Sequence, residues 1–256
     1  MYKKWTGCKK FGRSGSPCPL VPWSLGHHQF KHPVIMTSPH PFLKSLTFVQ
    51  ILDMQIKARF EQVIAWFSEH MPVAETELHY RDPYQLAVAT ILSAQCTDKR
   101  VNLITPGFFR KFPTPRKLAA ADQEEVFELI KSCSYPNNKA RNLLGMARKL
   151  VADYDGLLPE DPEEMQKLPG IGRKTAHVLA SVLFNKPALA VDTHVHRVAA
   201  RIGLTTGAKN PLQTELQLVK HIPEHLIPLA HHWLILHGRY VCMARKPKCG
   251  ECGIAP

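Results

Sequence analysis

The chain has 256 residues, 45% of them hydrophobic, enough for one large or two modest buried cores. Its 33 Lys and Arg against 21 Asp and Glu leave a formal charge of +12, which favours a polyanionic partner, nucleic acid first. No apolar run reaches the roughly 18 residues that a membrane-spanning helix needs, and the seven cysteines, odd in number and clustered near the C-terminus, suit a reducing compartment with a metal site better than a disulfide framework.

Residues 1–53 hold seven Lys or Arg, six prolines, a single acid (Asp53) and no sustained period, so they read as a disordered extension. Three origins compete: a basic arm adding DNA affinity, an acid-poor transit peptide, or sequence translated upstream of the real start, the last being preferred. From Lys57 to Met71, Phe60, Val63, Ile64 and Phe67 recur at helical spacing and predict one amphipathic helix. Asp82-Pro83 then opens a second, with a capping carboxylate and proline at the first position, running through the apolar Leu86–Leu92. It ends in Ser93-Ala94-Gln95-Cys96-Thr97-Asp98, where Asp98 reads as the cap of the next helix. Further helical patterns occupy Thr114–Ala120, Asp122–Ser132 and Asn137–Tyr154, with turn signals at Pro113, Pro115 and Tyr135-Pro136. Lys139, Arg141, Arg148 and Lys149 read as a solvated helix face rather than phosphate ligands. No strand-type alternation appears.

A helix from Pro162 to Leu168, the turn Pro169-Gly170-Ile171-Gly172 and a helix from Arg173 to Phe184 follow. Glycines permit positive φ and close backbone approach, and the amides that open the second helix point outward, so the turn suits a sugar-phosphate backbone gripped without regard to sequence. Taken alone, a G-x-G is more often an ordinary helix-helix turn. Lys174 sits in the first helical turn beside Arg173, where the dipole and the like charge both disfavour an ammonium; a neutral amine there is a Schiff-base nucleophile, against the plainer reading of a solvated lysine. Asp192, just before the periodic Val195–Ile202, reads as an N-cap, a role compatible with an ionised carboxylate that steadies a developing cation. Two more helices span Pro211–His221 and Leu226–Gly238, and Cys242-x6-Cys249-x2-Cys252 closes the chain with thiols at a spacing that ligates iron-sulfur clusters or zinc. Arg245, Lys246 and Lys248 make the loop between those thiols basic.

LPGIGRKTA, AVDTH, LSAQCTD and HHWLILHGRY together resemble the endonuclease III family of helix-hairpin-helix DNA glycosylases, over residues from about 54 to the end. The resemblance implies an all-α, two-lobed fold: a six-helix barrel over residues 76–186, including the hairpin at 162–184, and a discontinuous domain from 54–75 plus 187–256. It implies Lys174 as nucleophile toward the sugar C1′ and Asp192 as its assistant. Gln95 would fill the gap left by a flipped nucleotide, a need that chemistry on a stacked base imposes. Tyr135 falls in a second wedge loop, where the family commonly has leucine; an aromatic can stack on an unpaired base, and a buried tyrosine is the equal alternative. Gly170, Ile171, Gly172, Arg173 and Lys246 complete the implied DNA contacts. Cys242, Cys249 and Cys252 would hold a four-iron, four-sulfur cluster with a fourth cysteine that falls just past Pro256; zinc on three cysteines and a histidine is the other reading of these donors. The implied activity is removal of oxidised pyrimidines from double-stranded DNA and nicking at abasic sites, by a monomer in the bacterial cytoplasm. A monofunctional glycosylase of the same superfamily, which usually lacks a lysine at the hairpin, and a noncatalytic hairpin DNA-binding module are the alternatives.

Overall fold

The computed structural model describes residues 48–255, and among them there is no strand. Eleven α-helices follow in order: α1 (Phe48–His70), α2 (Pro83–Ser93), α3 (Asp98–Lys111), α4 (Pro115–Ala119), α5 (Gln123–Ile130), α6 (Pro136–Asp153), α7 (Pro162–Met165), α8 (Arg173–Phe184), α9 (Thr193–Arg201), α10 (Pro211–Val219) and α11 (Ile227–Tyr240). The fold is all-helical, as the patterning predicted. The expectation for residues 1–47 lies outside the described residues. Residues 48–53, grouped with them on composition, instead form the opening of α1; the last proline before them is Pro41, so nothing in that stretch opposes a helix.

A repeated local rule starts the helices. Asp82, Thr114, Asp161 and Asn210 each accept a first-turn amide and are each followed by proline, which surrenders an N–H that would have no partner there. One predicted cap is misplaced. Thr97, not Asp98, caps α3, its hydroxyl accepting Arg100 N at 3.3 Å. Asp98 is thereby released for an ion pair with Arg239 of α11, at 2.6 Å.

The helices bury two apolar cores. One draws on residues from Leu78 to Ala188, with α2 nearly enclosed and α6 burying one face. The other joins Phe60–Ala74 to Leu189–Ile254, so α1 is completed by the distant C-terminal third. Trp233 shows how: its ring stacks on Phe67 at 5.4 Å and its Nε1 donates to Met71 O at 2.7 Å, satisfying the one polar atom of a buried indole.

The turn between α7 and α8 uses its glycines differently. Gly170 has φ +83, and a Cβ there would stand 2.9 Å from Asn142 Cβ on α6, so both conformation and space demand glycine. Gly172 has φ −87 and nothing within 4 Å of a built Cβ. Positive φ, read from the sequence for the turn as a whole, belongs to Gly170 of this pair. Gly170→Ala is therefore expected to lower stability by about 1–3 kcal/mol, and Gly172→Ala, at an N-cap with room for a Cβ, by less, on the order of 0.5 kcal/mol; thermal denaturation of both variants checks the ordering, which equal losses would overturn.

Candidate active site

Lys174 is the second residue of α8, exposed to solvent. The cap residue ahead of it, Gly172, has no side chain to offer the opening amides of the helix, so that end remains an anion-receptive surface. Asp192 lies at the start of α9, where its Oδ1 accepts both His194 N and Val195 N at 2.8 Å. Chain positions eighteen residues apart thus meet: Lys174 and Asp192 line the same cleft, of about 170 Å³, with His231, His232 and Arg239 of α11 and Asp98 of α3. A single water needs on the order of 10–15 Å³ on this measure, so the space admits a ring-sized group.

The cleft wall is neutral where charge would interfere and paired where charge remains. His231, 1% exposed, donates from Nδ1 to Ala190 O at 2.8 Å, holding the segment that delivers Asp192. Burial pushes its imidazole down to about 3, with His232 and Lys174 acting in the same direction and Asp192 against. His232 is likewise pushed down to about 4, by burial and then by Arg239. Both rings are neutral at physiological pH. Arg239 binds Glu77 and Asp98 together, and Tyr240 adds its hydroxyl to Glu77, fastening α11 to the chain before α2 and to α3.

The other predicted contacts fall in three groups. Gln95 and Tyr135 are exposed loop residues held in the left-handed region, at φ +53 and +55, and the loops are joined by Ser134 Oγ donating to Gln95 O at 2.7 Å. Tyr135 is 61% exposed, which removes the buried-tyrosine alternative. At the hairpin, Ile171 is 3% exposed and its N–H is bonded to Leu168 O at 3.1 Å, so it anchors the turn in the core instead of reaching DNA. Arg173 spends its guanidinium on Glu215 of α10, through Nη2 at 2.6 Å and Nε at 3.4 Å. Of the basic face predicted on α6, Lys149 pairs with Asp153 and Arg148 donates to Ala119 O, whereas Lys139 is buried, with its Nζ 2.7 Å from both Leu92 O and Ala94 O. Sequence reasoning missed Lys139: one cation in a basic run carries no mark of the side it faces.

Lys246 is exposed at φ +51 in the C-terminal loop. The backbone of that loop is pinned by Arg201 to Met243 O and Ala244 O and by Arg197 to Cys242 O. Cys242 is buried, Cys252 half-buried with its sulfur 3.5 Å from His237 Nε2, and Cys249 exposed. Among the described residues no three His, Cys, Asp or Glu side chains are drawn together as a metal-holding group. In donor chemistry the loop fits an iron-sulfur centre, supplying three thiols where such a cluster takes four.

A hairpin presenting helix amides, followed by an extended segment that ends in a capping aspartate facing a lysine, defines a helix-hairpin-helix repair protein, and residues 88–224 match the HhH-GPD superfamily base excision DNA repair protein. Residues 242–256 match the iron-sulfur binding domain of endonuclease III, which leaves zinc unsupported. Endonuclease III of Rickettsia felis is 46% identical over 73% of this chain and 88% of its own. Two solved structures are also similar: a trapped endonuclease III-DNA covalent intermediate, with TM-score 0.72 and 41% identity over 78% of this chain and 92% of that one, and a non-covalent endonuclease III-DNA complex, with TM-score 0.74 and 40% identity over 77% and 92%. The chain belongs to the endonuclease III family. It is a base excision repair DNA glycosylase.

The buried His231 makes stability pH-dependent with a definite sign. Unfolded, the ring takes up a proton near pH 6.5; folded, only near 3. The unfolded state therefore binds more protons between those values, so stability is full above about 6.5 and is lost as pH falls, by up to about 1.4 kcal/mol per unit. His231→Asn keeps a donor for Ala190 O without a titrating group. Its urea midpoint is expected to drop less between pH 7 and 4 than that of wild type; parallel curves would contradict the assignment.

Proposed function

We propose that this chain is a bifunctional glycosylase and abasic-site lyase that removes oxidised pyrimidines from double-stranded DNA, with Lys174 as nucleophile and Asp192 as its electrostatic partner. The observation that carries the reading is the meeting of these two side chains in one cleft beside the unoccupied amide end of α8. In the proposed reaction the Lys174 amine attacks C1′ of a flipped nucleotide, and the glycosidic electrons leave with the base, which takes up a proton. One amine proton passes to O4′ as the C1′–O4′ bond breaks, which opens the sugar and leaves a protonated Schiff base; loss of a proton from C2′ then drives β-elimination, and the 3′ oxygen departs with its phosphate. Asp192, fixed by its two backbone bonds, offsets the cationic charge on the sugar.

The supporting parts follow from their placement. Gly170 shapes the backbone-gripping turn, and the opening amides of α8 take a phosphate. Gln95 and Tyr135, at adjoining exposed tips, occupy the gap in the duplex. The lobes of residues 76–186 and of 54–75 with 187–256 close on the two sides of the lesion. Cys242, Cys249 and Cys252 would hold a four-iron, four-sulfur cluster, which when bound fixes the loop that carries Lys246 toward backbone phosphates. The match to trapped and untrapped endonuclease III-DNA complexes supports DNA as the partner, and the bacterial relatives support action in the cytoplasm; the acting species in this proposal is a monomer.

Borohydride added during reaction with an oligonucleotide bearing thymine glycol or an abasic site is expected to give a covalent adduct with wild type, none with Lys174→Ala, and about 100- to 1,000-fold slower formation with Asp192→Asn, the range for one electrostatic contact to a developing charge. A wild type that binds the oligonucleotide without trapping would overturn the lyase reading and place the chain instead with the monofunctional glycosylases.

A further inference from the structure

Lys139 is an anomaly of burial. Its side chain is 5% exposed and it has no carboxylate partner within ion-pair distance among the described residues. Burying an ammonium is costly unless its protons are well placed. Here they are: Nζ donates to Leu92 O and Ala94 O, both at 2.7 Å. These carbonyls belong to the C-terminal end of α2, where the helix leaves its last acceptors without backbone partners. The same burial biases the amine toward its neutral form, with Cys133 and Cys96 opposing; either form retains at least two donors, so the two bonds survive the change.

What those carbonyls precede matters more than the helix they end. Ala94 is followed by Gln95 at φ +53, and Lys139 lies on the first turn of α6, immediately after Tyr135 at φ +55. A residue other than glycine in that region is strained and persists only where its surroundings over-determine it. Two ties supply the determination. Ser134 joins the tips at the surface, and Lys139 joins their bases from inside. A compact ammonium on a flexible stem suits two neighbouring carbonyls, whereas a planar guanidinium would need more room.

We propose that Lys139 is a positioning residue which braces the Gln95 and Tyr135 loops against each other, so that both tips enter the duplex as one preformed unit. The inference rests on the reading of Gln95 as the residue that fills the vacated gap. A brace of this kind acts on the extrusion of a nucleotide from a paired strand and leaves the chemistry at Lys174 untouched.

The test compares single-turnover borohydride trapping on an abasic site in duplex DNA and in the same oligonucleotide single-stranded, where nothing has to be held open. Lys139→Met, close in volume and without donors, is expected to slow the duplex reaction about tenfold or more, the loss of charge-assisted hydrogen bonds, and the single-stranded reaction less than about twofold on the same scale. Gln95→Ala is the control and is expected to show the same selectivity. Ser134→Ala, which cuts the surface tie alone, should show it to a lesser degree and keeps the test decisive if the methionine variant folds poorly. Equal slowing on both substrates, or none on either, overturns the brace. If Gln95→Ala is selective and the Lys139 and Ser134 variants are not, the brace fails while the gap-filling role stands; if Gln95→Ala shows no selectivity, the gap-filling role itself falls, and the brace with it.

Discussion

The double hydrogen bond from His194 N and Val195 N to a single oxygen of Asp192 is the constraint on which the cleft depends. It ends the extended segment, starts α9, and fixes a carboxylate whose orientation would otherwise be free. The carboxylate in turn sits against the positive end of the α9 dipole, so one interaction fixes both its position and its electrostatic surroundings. His231 reinforces it from the opposite side by holding Ala190, two residues upstream. The cap fixes the place of the carboxylate in the cleft, and that structural role is compatible with the proposed functional one.

Electrostatic economy in the remainder of the cleft follows from that carboxylate. Two histidines in its wall stay neutral because burial denies them protons, which spares Lys174 two additional cations nearby. The remaining strong cation, Arg239, is divided between Glu77 and Asp98. Arg173, adjacent in sequence to Lys174, is similarly balanced by Glu215 from α10. A paired guanidinium presents less net charge to its neighbour than a free one would.

Local chemistry accounts for which features were legible beforehand. The capper-proline pairs at Asp82, Thr114, Asp161 and Asn210 mark helix starts because cap and proline act within one turn. The hairpin and the V-D-T-H segment were legible for the same reason: their geometry is written in adjacent residues. Partners from distant helices were not. Glu215 for Arg173, Arg239 for Asp98 and the carbonyls of α2 for Lys139 are 42, 141 and up to 47 positions away, and no periodicity reports them. Asp98 lost its predicted cap role to Thr97 for a related reason: two adjacent residues could each serve, and the long-range bond to Arg239 selects between them.

Lys139 carries this logic to its limit. A basic residue at helical spacing, in a chain of high positive charge, reads as surface, because exposure is the usual fate of lysine. Lys139 is admitted at the edge of the first core because the carbonyls that end α2, Leu92 O and Ala94 O, accept its protons; an apolar side chain there would remove both hydrogen bonds. The tips at Gln95 and Tyr135 are exposed and held in the left-handed region, so burial does not stabilise them; their order has to come from beneath. A cation donated from one loop's helix to the end of the other's provides that order where neither loop has the length to form a core of its own.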